Sequence, residues 1–199
     1  SASYGAYGPY LQSQRQSLYM SFAVELLRKG RAYPCFATKE ELDASYTAQQ
    51  AAKVRPGYYG QWALWRNKTD EEVNAALDAH LPFVLRFRSE GSHDKRVAFT
   101  DILKGALELP ENDLDVPLIK ADGSQLPTYH LAHVVDDYLM GTTFILRGDE
   151  WLPSTPLHLE LADALAIKRF DYAHFAPISI LDKTTGGKRK LSKRKDPEA

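Results

Sequence analysis

From Tyr129 onward the chain alternates between two hydrophobic periods, and this alternation restricts the fold more than any other feature. YHLAHVVDDYLMG, 129–141, reads as a helix of two to three turns closed by Gly141. TTFILRGDE, 142–150, is a β-branched run with a polar end. STPLHLELADALAI, 154–167, opens on Ser154 or Thr155 with Pro156 in the first helical turn, and FAPISILD, 175–182, reads as a further strand. Helix, strand, helix, strand at this spacing is the pattern of a βαβ unit, whose crossover helix makes the strands parallel. The expected fold class is therefore α/β. A doubly wound parallel sheet normally has more strands than 118–182 supplies, so the segment is either an unusually small sheet or a piece of a larger enzyme.

Upstream the texture differs. LQSQRQSLYMSFAVELLRKG, 11–30, has helical periodicity, with Leu18, Phe22, Leu26 and Leu27 roughly on one side and Gly30 as the stop. AYPCFA is a short strand. Thr38 with Glu41, and Thr69 with Glu72, have the spacing of capping boxes and predict helices to about Lys53 and His80. HLPFVLRFR is a strand, VAFTDILKGALEL a strand pair or a strand and turn, and LDVPLIK a strand. The expected organisation is 1–30 as the end of an earlier unit, 31–117 as an α+β insert, 118–182 as the second half of a partial parallel-sheet core, and 183–199 as a basic tail.

The 199 residues carry a formal charge of −1, unevenly spread: residues 183–199 hold seven basic and two acidic residues, net +5, so the remainder carries −6. Any polyanion binding is thus local. One cysteine, Cys35, excludes an internal disulfide and suits a reducing compartment. No apolar run approaches a membrane span, and SASYGAYGPY has neither the basic start nor the apolar core of a signal peptide. The expected location is cytoplasmic.

Three stretches could carry chemistry. KRKLSKRKD, 188–196, clusters Lys190, Lys193, Arg194 and Lys195 behind a Gly-Gly pair. Such a loop could swing charge onto a transferring phosphoryl group, or it could be a solvated tail or a nonspecific backbone binder. It is not a P-loop, because the glycine spacing is wrong. On the 129–141 helix, His130 and His133 stand three apart with Asp136 and Asp137 a turn later. That set could ligate a metal, though each member has a structural reading, and no metal is expected. Tyr129 is a substrate-contacting aromatic or a core residue. Arg147 stands at the carboxyl end of a parallel strand, where open sheets bind ligands, and its planar fork suits a carboxylate. Trp151 could stack on a base or pack in the core. Cys35 reads as a small buried hydrophobe.

GPYLQSQR, YPCFAT, PGYYG, LPFVLRFR, ADGSQLPTYHLAHVVDDYLMGTTFILRGDEWLPSTPLH and KRKLSKRKDPEA occur here in the order in which similar stretches occur in bacterial glutamyl-tRNA synthetases. The wording resembles the divergent branch found in clostridia and their relatives. The resemblance covers nearly the whole chain. It implies a class I aminoacyl-tRNA synthetase: a Rossmann-like sheet split by an acceptor-stem-binding insert, here 31–117. ATP, as its Mg²⁺ complex, would activate L-glutamate to glutamyl-adenylate, and glutamate would pass to the 3′ end of tRNA(Glu). By the same resemblance Tyr129, His133 and Arg147 hold glutamate, the arginine taking its side-chain carboxylate, and His133 stands where many relatives carry Asn. Trp151, the main chain around Ile178, and Lys193 meet ATP. Lys190, Lys193 and Arg194 belong to the Lys-Leu-Ser-Lys-Arg signature, with Lys193 on the phosphates, so that 183–199 would hold this loop and the start of the next domain. Ala37 stands where some relatives carry a zinc-binding cysteine, so zinc is not expected.

The first class I signature, His-x-Gly-His, is absent from the 199 residues, as is an anticodon-binding region. The expectation is an internal piece of a monomeric synthetase, inactive alone. The alternatives are a glutaminyl-tRNA synthetase, a glutamyl-queuosine tRNA(Asp) synthetase-like enzyme, or a noncatalytic module that binds RNA stems.

Overall fold

The computed structural model describes residues 5–181 and 186–191. After one 3-10 turn at Gln12–Gln14, helix α1 runs Gln16–Arg28. Its buried face is Tyr19, Ala23 and Leu26, a narrower stripe than expected; Leu27 is exposed. Gly30 takes a left-handed φ of 66° and ends the helix: its N–H bonds the Leu27 carbonyl at 3.0 Å, and the Arg31 N–H bonds that of Leu26 at 2.8 Å.

Strand β1 (Ala32–Cys35) leads to α2 (Lys39–Ala51) and α3 (Asp70–Asp78), each opened by the expected reciprocal capping box. Both helices stop two residues before their expected ends. Lys53 and His80 instead adopt left-handed φ values of 56° and 54° and close the last turn as Gly30 does. Strands β2 (Val84–Phe87), β3 (Arg96–Asp101), β4 (Gly105–Pro110) and β5 (Pro117–Ile119) follow. Then come α4 (Tyr129–Leu139), β6 (Phe144–Gly148), a 3-10 segment at Asp149–Ser154, α5 (Thr155–Ala164) and β7 (Asp171–Phe175). A short pair, β8 (Ser179–Leu181) and β9 (Lys188–Lys190), ends the described chain.

The parallel partner of β6 is DYAHF, not FAPISILD as the apolar pattern suggested. Pro177 lacks a ladder donor and interrupts the apolar run, leaving only Ser179–Leu181 as a strand, antiparallel to β9. The polar residues of DYAHF disguised a buried strand.

Strands β1, β2 and β5 form one antiparallel sheet, and β4-β3-β7-β6 a mixed one in which β3, β7 and β6 are parallel. The division expected at residue 117 does not follow these sheets. Strand β5 straddles it, and the β3–β4 hairpin, assigned to the insert, lies against β7. The Ile102 N–H continues that junction by bonding the Tyr172 carbonyl at 2.8 Å. The pairing is confined to the Asp101 end of β3, where β7 takes up the backbone groups of that edge.

Helix α5 is buried almost all round. Leu157, Leu161 and Ala162 pack into the large core made with α1, β2, β5 and α4, whereas Leu159 packs with Ile145 and Tyr172 of the mixed sheet. Its Glu160 accepts from Arg31, Ser89, the Glu90 N–H and Asn112 at 2.7–3.0 Å, pinning the helix to loops upstream of it. The helix thus fixes the mixed sheet relative to α4, and the site forms between them.

Candidate functional site

Alternation along β6 exposes Phe144 and Leu146 and turns Ile145 and Arg147 inward. Arg147 is one residue from the strand's carboxyl end and only 8% exposed. Its Nε donates to His174 Nε2 at 2.9 Å; one terminal nitrogen donates to His158 Nδ1 at 3.0 Å and reaches His133 Nε2 at 3.5 Å; the other donates to Thr155 Oγ1 at 2.9 Å. The guanidinium lies 4.7 Å from the centre of the Tyr172 ring. Among the described residues its hydrogen-bond partners are three imidazoles and a hydroxyl, none of them an anion. A buried cation without an anionic partner is costly, which sets this arginine apart.

Carboxylates stand one residue further out. Asp101, at the end of β3, accepts from His174 Nδ1 at 2.6 Å, and Asp137 pairs with His133 Nδ1 at 2.7 Å. Arg147 can only donate, so His158 carries its proton on Nε2, which faces His130 Nδ1 at 3.0 Å. Burial, then the neighbouring His133 and Arg147, pushes the His158 pKa well below the ordinary imidazole range, and the same causes lower that of His130. Burial also lowers that of His174, against the upward pull of its bond to Asp101.

Tyr129 opens α4 and is 41% exposed. Its ring stacks on His133 at 5.6 Å and lies 4.2 Å from the Trp151 ring. The fold therefore gathers Tyr129, His133, Arg147 and Trp151 into one cluster at the carboxyl end of β6. Ile178 is separate from these contacts: its side chain is exposed, and its carbonyl accepts from the Leu191 N–H at 2.8 Å. Lys190 pairs with Ser179 through its strand, while Lys193 and Arg194 lie outside the described residues.

The His–Asp set of α4 splits. Asp136 turns away to Arg15 and Tyr19, both at 2.8 Å, leaving Asp137 with His133. Among the described residues no group of three His, Cys, Asp or Glu side chains has the arrangement of a metal site. Cys35 is a free, buried thiol 3.2 Å from the Tyr58 hydroxyl. Sequence reasoning missed Thr155, His158, His174 and Asp101. The available signal was a histidine inside the apolar run PLHLEL, since a buried polar group needs a partner.

A family model described as "tRNA synthetases class I (E and Q), catalytic domain" matches residues 2–198. The chain belongs to this family. It is 48% identical over 207 residues to a glutamate–tRNA ligase of Sorangium cellulosum and 50% identical over 195 to one of Clostridium beijerinckii, in each case over 98% of this chain. It covers 36% and 34% of those two proteins, so it spans about a third of the curated relatives it matches. Among solved structures, the glutamate-tRNA synthetase of Elizabethkingia anophelis superposes with a TM-score of 0.80 at 33% identity, over 98% of this chain and 39% of that one. A glutamate tRNA ligase of Elizabethkingia meningosepticum, solved in complex with its amino acid, gives 0.76 at 28% identity, over 98% and 43%. The fold is accordingly the α/β, Rossmann-like catalytic fold of class I synthetases, here with a mixed sheet. No described helix is long and apolar enough to cross a membrane.

Proposed function

We propose that this chain carries the glutamate-binding part of a glutamate–tRNA ligase, with Arg147 receiving the side-chain carboxylate of L-glutamate. One observation carries the reading: a buried guanidinium none of whose described hydrogen-bond partners is an anion. Three of its five N–H groups are engaged at 2.9–3.0 Å, and the His133 contact on one terminal nitrogen is long at 3.5 Å. Both terminal nitrogens therefore keep capacity for a carboxylate, which would supply the missing negative charge. Glutamine has only a neutral carboxamide to offer, and this favours glutamate within a family that serves both amino acids. Tyr129 would flank the ligand beside His133, and Trp151 would extend the wall toward ATP.

The rest follows from the resemblance. ATP would enter with Mg²⁺ on its phosphates, glutamyl-adenylate would form, and the amino acid would pass to tRNA(Glu), whose acceptor end would contact residues 31–117. Lys193, with Lys190 and Arg194, would steady charge that grows on the phosphates. Because these 199 residues contain no His-x-Gly-His motif, we expect them by themselves to bind ATP weakly and not to form the adenylate.

The test is glutamate-dependent ATP–pyrophosphate exchange by the protein as its gene encodes it. Arg147→Ala should raise the KM for glutamate by at least about 100-fold, the range for losing a charge-assisted pair. An unchanged KM would overturn the glutamate-site assignment. Exchange that survived Lys193→Ala unaltered would remove the role given to the basic loop.

A further inference from the structure

Arg147 is oriented by a chain of contacts that ends in the β3–β4 hairpin. Its Nε donates to His174 Nε2 at 2.9 Å, and His174 Nδ1 lies 2.6 Å from Asp101 Oδ2. Asp101 and His174 are 0% and 1% exposed and stand 73 residues apart in sequence. Asp101 is also saturated. Its Oδ1 accepts the N–H groups of Leu103 and Lys104, each at 3.0 Å, and its Oδ2 accepts the backbone N–H of His174 at 3.0 Å.

We infer that Asp101 and His174 are positioning residues for Arg147, holding its Nε edge so that its terminal N–H groups are free to meet the substrate carboxylate. The inference rests on the glutamate-site reading above.

The chemistry at each atom leaves one arrangement. Arg147 offers only donors, so His174 Nε2 must present a lone pair; its proton then sits on Nδ1, which requires an acceptor there. Asp101 is that acceptor, and its two oxygens face four N–H groups. Burial opposes the Asp101 charge, but hydrogen bonds from His174, Lys104 and Leu103 outweigh it and bring its pKa below the ordinary carboxylate value. An imidazole between the two charges matters. A carboxylate directly on Arg147 would neutralise it and compete for its fork. A neutral His174 fixes the edge and leaves the positive charge for the ligand.

Asp101→Asn tests this because the carboxamide cannot serve all four donors. With its NH₂ toward His174, it opposes the backbone N–H and pushes the ring into the tautomer that sets N–H against Arg147 Nε–H. With its NH₂ toward the turn, it opposes Leu103 and Lys104. Exchange kinetics on the gene-encoded protein should show the KM for glutamate raised about 10- to 100-fold, the usual effect of losing an outer-shell partner. The KM for ATP should stay within about twofold of the unsubstituted protein's value, a margin well inside that outer-shell effect. The preference for glutamate over glutamine should narrow by the same factor as the glutamate KM rises, since glutamine has no side-chain carboxylate to pair with Arg147.

Should Asp101→Asn not fold, His174→Gln and His174→Leu decide. Glutamine keeps an acceptor near the Nε2 position and should bind glutamate better than leucine does. If Arg147→Ala loses glutamate while Asp101→Asn and both His174 variants do not, the positioning role is overturned and the glutamate site stands. If Arg147→Ala leaves the glutamate KM unchanged, the site reading itself fails. A parallel rise in the KM values for glutamate and ATP would mark general loosening and would also overturn the positioning role.

Discussion

His158 Nδ1 accepts a hydrogen bond from Arg147 at 3.0 Å, inside a site where His158 is completely buried. A protonated His158 would face that cation with a second positive charge and no acceptor. Burial and the neighbouring charges keep its pKa well below the usual imidazole value, and those of His130 and His174 are lowered as well. The free energy of holding a charge without an anion is thus spread over several neutral rings.

Stability should accordingly fall in mild acid. These histidines titrate near 6.5 when unfolded and lower when folded, so below that pH the unfolded chain binds more protons. Their contribution is complete above pH 6.5 and is lost as pH drops toward the depressed folded values. Urea unfolding at about pH 7.5 and pH 5.5, on either side of the unperturbed imidazole pKa, should show the lower midpoint at the acid value. A flat or rising midpoint would contradict neutral imidazoles around Arg147.

Tyr33 donates to Asp115 Oδ2 at 2.7 Å, and the same buried carboxylate accepts from Arg66 and from the Ser89 N–H. Tyr33→Phe removes a hydrogen bond to a buried charge and should cost about 1.5–3 kcal/mol. Equilibrium denaturation measures this; a loss below about 0.5 kcal/mol, the lower bound for an ordinary hydrogen bond, would mean that the carboxylate finds another donor.

Leu161→Ala should cost about 2–5 kcal/mol, because Leu161 is fully buried where α5 meets the large core. Glutamate affinity of the folded fraction should change less than in the Arg147 variant, since Leu161 packs in the large core and Leu159 faces the mixed sheet. Unfolding curves and exchange kinetics on one preparation separate the two effects.

If residues 31–117 meet the acceptor end of a transfer RNA, affinity should fall steeply with salt as counterions are released. Filter binding of acceptor-stem RNA across a salt series measures the slope. A slope near zero would exclude phosphate contacts by this surface.

Local features of the fold were legible in the sequence because the interactions that make them span few residues. Thr38 with Glu41, and Thr69 with Glu72, cap their helices across three positions, and Gly30 and Gly141 stop theirs by taking φ of 66° and 70°. The position of Arg147 at the end of its strand was legible, and the stretches around it pointed to the family. The strand Asp171–Phe175 was not legible. Its histidine reads as polar until Asp101, 73 residues earlier, is placed beside it.

The sequence by itself determined where α2 and α3 begin and which glycines stop a helix, which residue types could meet a carboxylate, and which family the chain resembles. These depend on neighbours in the chain and on motif wording. Only the tertiary structure decided that the β3–β4 hairpin joins the parallel strands and that Asp101 thereby reaches His174. The same holds for His158 and Thr155 enclosing Arg147. Each of those depends on the register of strands and on the burial of α5 between two sheets. Burial makes the partners of a polar group obligatory, and which partners are available is set only when distant segments pack together.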